Sequence, residues 1–339
     1  MQHDLGHNLL VDRDIGVAVD LDFDCHYKSI VPLHKLSRDG QAKRSLGSKL
    51  GIMTDAKPKL EIEVESRKGR RRIALLITMS VPLLAVVVLS PPIPQPVEYH
   101  DFADQRPLAG IPHFWNVASN LPFAVIGLAG CAWLLRKPAW TSAFSEPWER
   151  AAYFAFFFGE FLTCFGSAYY HAAPSNATLV WDRLVFSLLL TSFFTIVIAE
   201  FVNRRVGRAL LAPWALLGIF SVLSWHGTEL AGRGDLRLYL VVQFYPVLAI
   251  PFIIALFRSR YTLGWMFLLT WALYGAAKIC ELLDRPIYDL TGVWSGHTFK
   301  HFIAAAATAC VLYALRRRKV RQPQESGAVV TEVANCRAT

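Results

Sequence analysis

Two histidines four residues apart, His297 and His301, open the last apolar run of a 339-residue chain. On a helix, positions i and i+4 share one face about a turn apart. Both imidazoles can therefore reach one metal ion, and zinc takes histidine nitrogen at about 2.0–2.1 Å. A catalytic zinc site wants three protein ligands and one open position, where a water has its pKa lowered to about 7. His171 closes an earlier apolar run and is the best third ligand, with Ser167 four residues before it on the same face. Asp182 opens the next run, eleven residues after His171. An aspartate there can orient or deprotonate the water, and a serine hydroxyl can hydrogen-bond a developing oxyanion. His100, His113 and His226 lie on the same side of the chain's apolar runs, so counting does not fix the third ligand.

The elements that must position these residues are long apolar blocks. The chain is 54% hydrophobic and 18% charged, where soluble domains average about 25% charged. This excludes an ordinary cytosolic enzyme and a disordered chain. Six scattered cysteines, none in a C-x-x-C pair, exclude a disulfide scaffold. A helix crossing a bilayer core needs about 20 apolar residues. The run 73–90 follows a basic cluster at 67–72 and ends at Pro91-Pro92. It lies ~70 residues in and lacks a small-residue cleavage pattern, so it reads as a signal anchor rather than a removed leader. Seven further runs are expected at 114–135, 151–170, 181–201, 210–225, 238–257, 263–283 and 297–315. The fold class is thus all-α: a polytopic membrane protein with a seven-helix bundle core and one extra N-terminal transmembrane helix.

Charge sets the expected orientation. Lys and Arg near the run ends number 18 on the N-terminal side of the membrane and 6 on the other. By the positive-inside rule both termini are cytoplasmic and the histidine side faces out. The same asymmetry accounts for the net charge of +9 without nucleic acid. Residues 1–66 read as a polar, disordered cytoplasmic tail with no sustained helical or strand period, 67–91 as the anchor, 92–318 as the seven-helix domain, and 319–339 as a cytoplasmic tail. The three helix ends bearing His171, Asp182 and His297 converge at one leaflet, and ionisable groups placed there mark function by default. Glu160 sits mid-span as a packed hydrogen-bonding group. Lys278 and Glu281, at i and i+3, are expected to pair with each other. Tryptophans and tyrosines at the run ends form interfacial belts.

The run Gly166-Ser167-Ala168-Tyr169-Tyr170-His171, then Asp182, then His297-x-x-x-His301, resembles the alkaline ceramidases and their bacterial ceramidase-like relatives. These belong to a membrane-hydrolase superfamily that includes the adiponectin receptors. The stretches 102–106 and 114–120 resemble the start of the same core, and the likeness runs from about His100 to Arg318. It implies a seven-helix bundle with zinc on His171, His297 and His301, Asp182 working on the bound water, and Ser167 helping the carbonyl oxygen. The implied reaction hydrolyses the amide of ceramide or a similar membrane lipid within the bilayer, giving a fatty acid and a sphingoid base. The family's eukaryotic members also carry calcium in the N-terminal segment. Asp101 and Asp104 match two acidic positions there, but His113 stands where a Glu is expected and Arg106 where a neutral ligand is expected. A reading from a different class is a ligand-sensing receptor of the adiponectin-receptor type, with a mainly structural zinc.

Overall fold

The computed structural model describes residues 8–12, 17–21, 27–32, 57–136 and 143–321. The chain divides into two units, Met1–Lys68 and Gly69–Thr339. In the first, three short strands, β1 (Asn8–Asp12), β2 (Val17–Leu21) and β3 (Tyr27–Pro32), pair as an antiparallel meander with a register shift at Asp20/Leu21. No strand is expected here from hydropathy alone; Val11, Val17, Val19, Ile30 and Val31 are the β-branched residues that suit one. The rest of the expected tail up to residue 56, and residues 322–339 of the C-terminal tail, lie outside the described residues.

The second unit is an all-α membrane bundle. Its elements are α1 (Lys57–Leu89, of which 69–89 belongs to this unit), α2 (Phe114–Ala118), α3 (Leu121–Leu135), α4 (Pro147–Ala172), α5 (Asn176–Val197), α6 (Arg204–Leu230), α7 (Arg237–Leu256), α8 (Met266–Leu282), α9 (Asp284–Thr291) and α10 (Gly296–Arg317). Among the described residues seven helices are long and apolar enough to cross a membrane, or eight if the bent pair α8–α9 forms one span. The chain is a multi-pass membrane protein by this measure.

Three departures from the expected runs have local causes. The run 114–135 is two helices, broken at Ser119-Asn120, with Pro122 in the first turn of α3, where its missing N–H is tolerated. The run 263–283 is the 17-residue α8, bent by 77° into α9. Pro286 cannot donate back to the carbonyl of Leu282, so the helix cannot continue straight. The run 210–225 is longer as a helix, because Asn203 caps its start by accepting from the backbone N–H of Arg205 (2.8 Å) and Val206 (3.2 Å). Hydropathy marks the apolar part of a helix and not its capped ends.

In lipid, helices associate through van der Waals packing more than through loss of water, and small residues let backbones approach. A Cβ on Gly166 would lie 2.7 Å from the carbonyl oxygen of Trp181, so α4 and α5 touch backbone to backbone beside Ser167 and Asp182. A Cβ on Gly296 would run into the carbonyl oxygen of Cys280, which fixes the start of α10 against the end of α8. The main core packs Tyr153, Phe156, Phe157, Phe193, Ile253 and Phe267. The extra span α1 rests on α7 through Ser80 Oγ and Tyr245 Oη at 2.9 Å, and Arg237 donates to the carbonyl of Ser90 at 2.7 Å. At the bundle end opposite the histidines, Arg318 is fully enclosed. It pairs with Glu200, donates to Ala143 O (2.9 Å) and Tyr153 Oη (2.6 Å), and lies 3.9 Å over the Tyr261 ring. Glu200 sits in a π-helical turn, Ile198–Val202, and also accepts from Tyr153 at 2.5 Å.

Candidate metal centre

His171 lies in the last turn of α4, and His297 and His301 in the first two turns of α10. All three are buried, at 1%, 5% and 2% exposure, and one nitrogen from each lies within 4.8 Å of the others. His171 Nε2 faces His297 Nε2 at 3.1 Å. His301 presents its Nδ1 to Ser119 Oγ at 2.7 Å, while among the described residues its Nε2 has no hydrogen-bond partner, and neither has His171 Nδ1. Buried nitrogens facing one another without donors are what a metal ion satisfies. The group can hold a metal ion. Among the described residues it is the only set of three or more such ligands that converges.

The surrounding chain holds these rings in place. Ser295 caps α10 by accepting from the backbone N–H of Thr298 at 3.2 Å. Ser295 and Thr298 both donate to Asn116 Oδ1, at 3.4 and 3.3 Å, which joins α2 to the start of α10. Asp284, at the bend between α8 and α9, accepts from the backbone N–H of His297 (2.7 Å) and of Ala103 (2.9 Å). The Phe102 ring packs edge-on to both His171 and His297, with centroids 4.7 Å apart in each case. His113 adopts a left-handed backbone (φ 46°) that aims its Nδ1 at the carbonyl of His171, 3.1 Å away. Burial pushes the His113 imidazole below its ordinary pKa, with Asp104 partly opposing this.

A cavity of about 80 Å³ adjoins the cluster. Its wall includes His301, Ser167, Asp182, Lys278, Glu281 and Lys300. Ser167 is buried and within hydrogen-bond reach of the Asp182 carboxylate. Lys278 and Glu281 pair as expected, and Lys300 joins them, 2.9 Å from Glu281 Oε1. Tyr99 also lines the wall, its phenol pushed up to about 12 by burial and by the nearby Glu281. Phe123, Thr163, Phe186, Tyr274 and Ala304 line both this cavity and an apolar chamber of about 70 Å³ that reaches Glu160. Glu160 accepts from Thr308 Oγ1 at 2.6 Å, and among the described residues its second oxygen has no partner.

The residues expected for calcium are engaged differently. Asp104 takes Arg106 in a two-pronged pair, Nε to Oδ1 and Nη2 to Oδ2, both 2.8 Å, and accepts the Arg106 backbone N–H at 3.1 Å. Burial alone would raise its pKa, but the Arg106 bonds outweigh this and hold it below the ordinary carboxylate value. Asp101 is exposed and accepts from Gln105 at 2.8 Å. Among the described residues no cluster of ligating side chains forms around them, and the Arg106 guanidinium occupies both Asp104 oxygens. Of the competing histidines, His100 bonds Tyr170 Oη and Asn176 Oδ1, both at 2.9 Å, and His226 lies outside the cluster. Ser119, Asn116 and Phe102 fall within stretches quoted for the resemblance but had no assigned role; their function depends on the helix break and on long-range packing. Comparison with known proteins identifies no relative: no protein-family model matches the chain, and no curated protein or solved structure does.

Proposed function

We propose that this protein is a zinc-dependent membrane hydrolase that cleaves the amide bond of ceramide or a related N-acyl lipid. The products are a fatty acid and an amine, which is a sphingoid base when the substrate is ceramide. One observation carries the reading: three buried imidazoles converge beside a cavity that holds Ser167 and Asp182 and continues into an apolar chamber. Three neutral imidazole nitrogens suit zinc. Bound there, zinc would supply Lewis acidity toward a carbonyl oxygen and make water acidic near neutral pH.

The chain's own residues supply the rest. His171, His297 and His301 are the ligands, and Ser119 orients His301. Asp182 takes a proton from water and returns it to the leaving amine. Ser167 faces Asp182 and turns its hydroxyl to the carbonyl oxygen as negative charge builds there. The apolar chamber receives the acyl chain without passing it through water. The 18-to-6 basic asymmetry supports cytoplasmic termini and a site toward the other side.

The test is mass spectrometry of a mixed N-acyl lipid extract incubated with purified full-length protein, with and without chelator, alongside metal analysis. The expected result is about one zinc per chain and fatty-acid release, both lost to chelator and restored by zinc. Stoichiometric zinc with no amide cleaved overturns the hydrolase reading and favours the receptor-type alternative.

A further inference from the structure

Two ammonium groups inside a membrane bundle are costly, and such groups mark substrate contacts by default. Lys278 and Lys300 come from different helices, α8 and α10, and meet at one carboxylate. Glu281 spends Oε2 on Lys278 and Oε1 on Lys300. Each ammonium carries three N–H donors. Among the described residues each makes this one hydrogen bond, so two N–H groups on each remain uncommitted. Both lysines line the cavity that contains His301, Ser167 and Asp182. Tyr274 and Gln243 stand in the same wall. Among the described residues the Tyr274 hydroxyl has no hydrogen-bond partner.

A structural ion pair needs one lysine for one glutamate. The second lysine has no counterpart within the trio. Asp182, the other acid in the wall, is near enough to feel the Lys300 charge, but among the described residues the two form no ion pair, so Lys300 keeps donors open to a ligand. Lys300 lies between the two α10 histidines, one residue before His301, so its donors start from the helix turn that presents the reacting carbonyl. A neutral amide with hydroxyl groups does not call for two ammoniums at that place. A carboxylate attached close to the amide nitrogen does, because ammonium–carboxylate hydrogen bonds are roughly twice as strong as neutral ones.

We infer that the Lys278–Glu281–Lys300 trio is a headgroup subsite for a carboxylate, and that the favoured substrates are N-acyl amino acids, in which the carboxylate lies two bonds from the amide nitrogen. This rests on the hydrolase reading above. The reaction is hydrolytic: water adds across the C–N bond, its hydroxyl going to the acyl carbon and its proton to the nitrogen. The products are a fatty acid and a free amino acid, with no redox partner.

The experiment compares two palmitoyl amides of equal acyl length, N-palmitoylglycine and neutral N-palmitoylethanolamine, on the full-length protein. Equilibrium binding and kcat/KM are both measured. The wild type is expected to prefer the glycine conjugate at least tenfold in both. Lys278→Gln should cut that ratio at least tenfold, chiefly through Kd and KM, and Lys278→Arg should restore most of it. Equal affinity for the two amides in the wild type overturns the subsite. So does a ratio that survives Lys278→Gln in folded protein. Preferential binding of the glycine conjugate with neither amide cleaved supports the subsite and overturns the hydrolase reading.

Discussion

Ser119 Oγ stands 2.7 Å from His301 Nδ1 and 3.3 Å from the carbonyl oxygen of Asn116. A serine hydroxyl has one proton to give. With a metal on His301 Nε2, Nδ1 carries the ring proton and donates it to Ser119, whose own proton has the Asn116 carbonyl as acceptor. That tautomer leaves the Nε2 lone pair free, and among the described residues Nε2 is the His301 nitrogen without a hydrogen-bond partner.

Replacing Ser119 by Ala removes this orienting bond and frees the ring to adopt the wrong tautomer. Loss of such a supporting bond typically costs 10- to 100-fold in metal affinity. Competitive titration of purified Ser119→Ala with a zinc chelator of known affinity should show that drop, with the fold intact by circular dichroism. Unchanged affinity would remove Ser119 from the site.

A three-ligand site has no spare. His301→Ala, like His171→Ala or His297→Ala, should lose the metal, as measured by inductively coupled plasma mass spectrometry on protein purified without added zinc. His226→Ala should retain it, since His226 lies outside the cluster. Full metal content in His301→Ala contradicts the assignment.

Asp182 and Ser167 line the cavity beside the histidine cluster and are not part of it. Asp182→Asn should keep the metal and lose about 10²–10⁴-fold in turnover, the usual worth of acid–base help. Ser167→Ala should keep the metal and lose about 10²–10³-fold, the usual worth of one oxyanion donor. Metal loss in Asp182→Asn as complete as in His171→Ala would make the aspartate a ligand.

Acid should loosen the 101–106 segment. Asp104 has its pKa lowered in the fold, so its contribution is present above the ordinary carboxylate pKa and fades as pH falls through the folded value. Arg106 is 45% exposed, and screening reduces the pair to about 1 kcal/mol, below the usual range for charged hydrogen bonds. The unfolding midpoint of the wild type should fall between about pH 5 and pH 3 more steeply than that of Asp104→Asn. Parallel curves for the two proteins would refute the pairing as a source of stability.

Reporter fusions test orientation. One placed after Arg318 should read cytoplasmic, and one in the turn between α6 and α7 should read external, following the basic asymmetry. The reverse pattern would put the histidine end inside.

Spacing made the metal cluster legible because a helix converts a four-residue interval into a shared face, and His297 and His301 obey that rule without help from elsewhere. His171 was legible as a third partner only through alternating span direction, which brings three helix ends together. Hydropathy found the spans but not their ends: Asn203 extends α6 by a cap, and Pro286 turns α8 through a bend that an apolar run does not reveal. Asn116, Ser119 and Asp284 act through long-range bonds to α10, and nothing in their local sequence announces those partners. Arg106 was legible as a misfit in a calcium segment; that it closes on Asp104 and reaches the carbonyls of Gly292 and Val293 required the fold.

The enclosed Arg318 has a mechanical consequence for residues a full membrane thickness away. The final helix is a rod pinned at both ends, by Glu200 and Ala143 at one and by Asn116 and Asp284 at the other. A slip of one residue along its axis would shift it by about 1.5 Å and rotate every side chain by about 100°. That would swing both imidazoles off His171 together. Pinning the far end removes this screw motion, so the spacing of the three nitrogens is held in part by an ion pair at the opposite end of the helix.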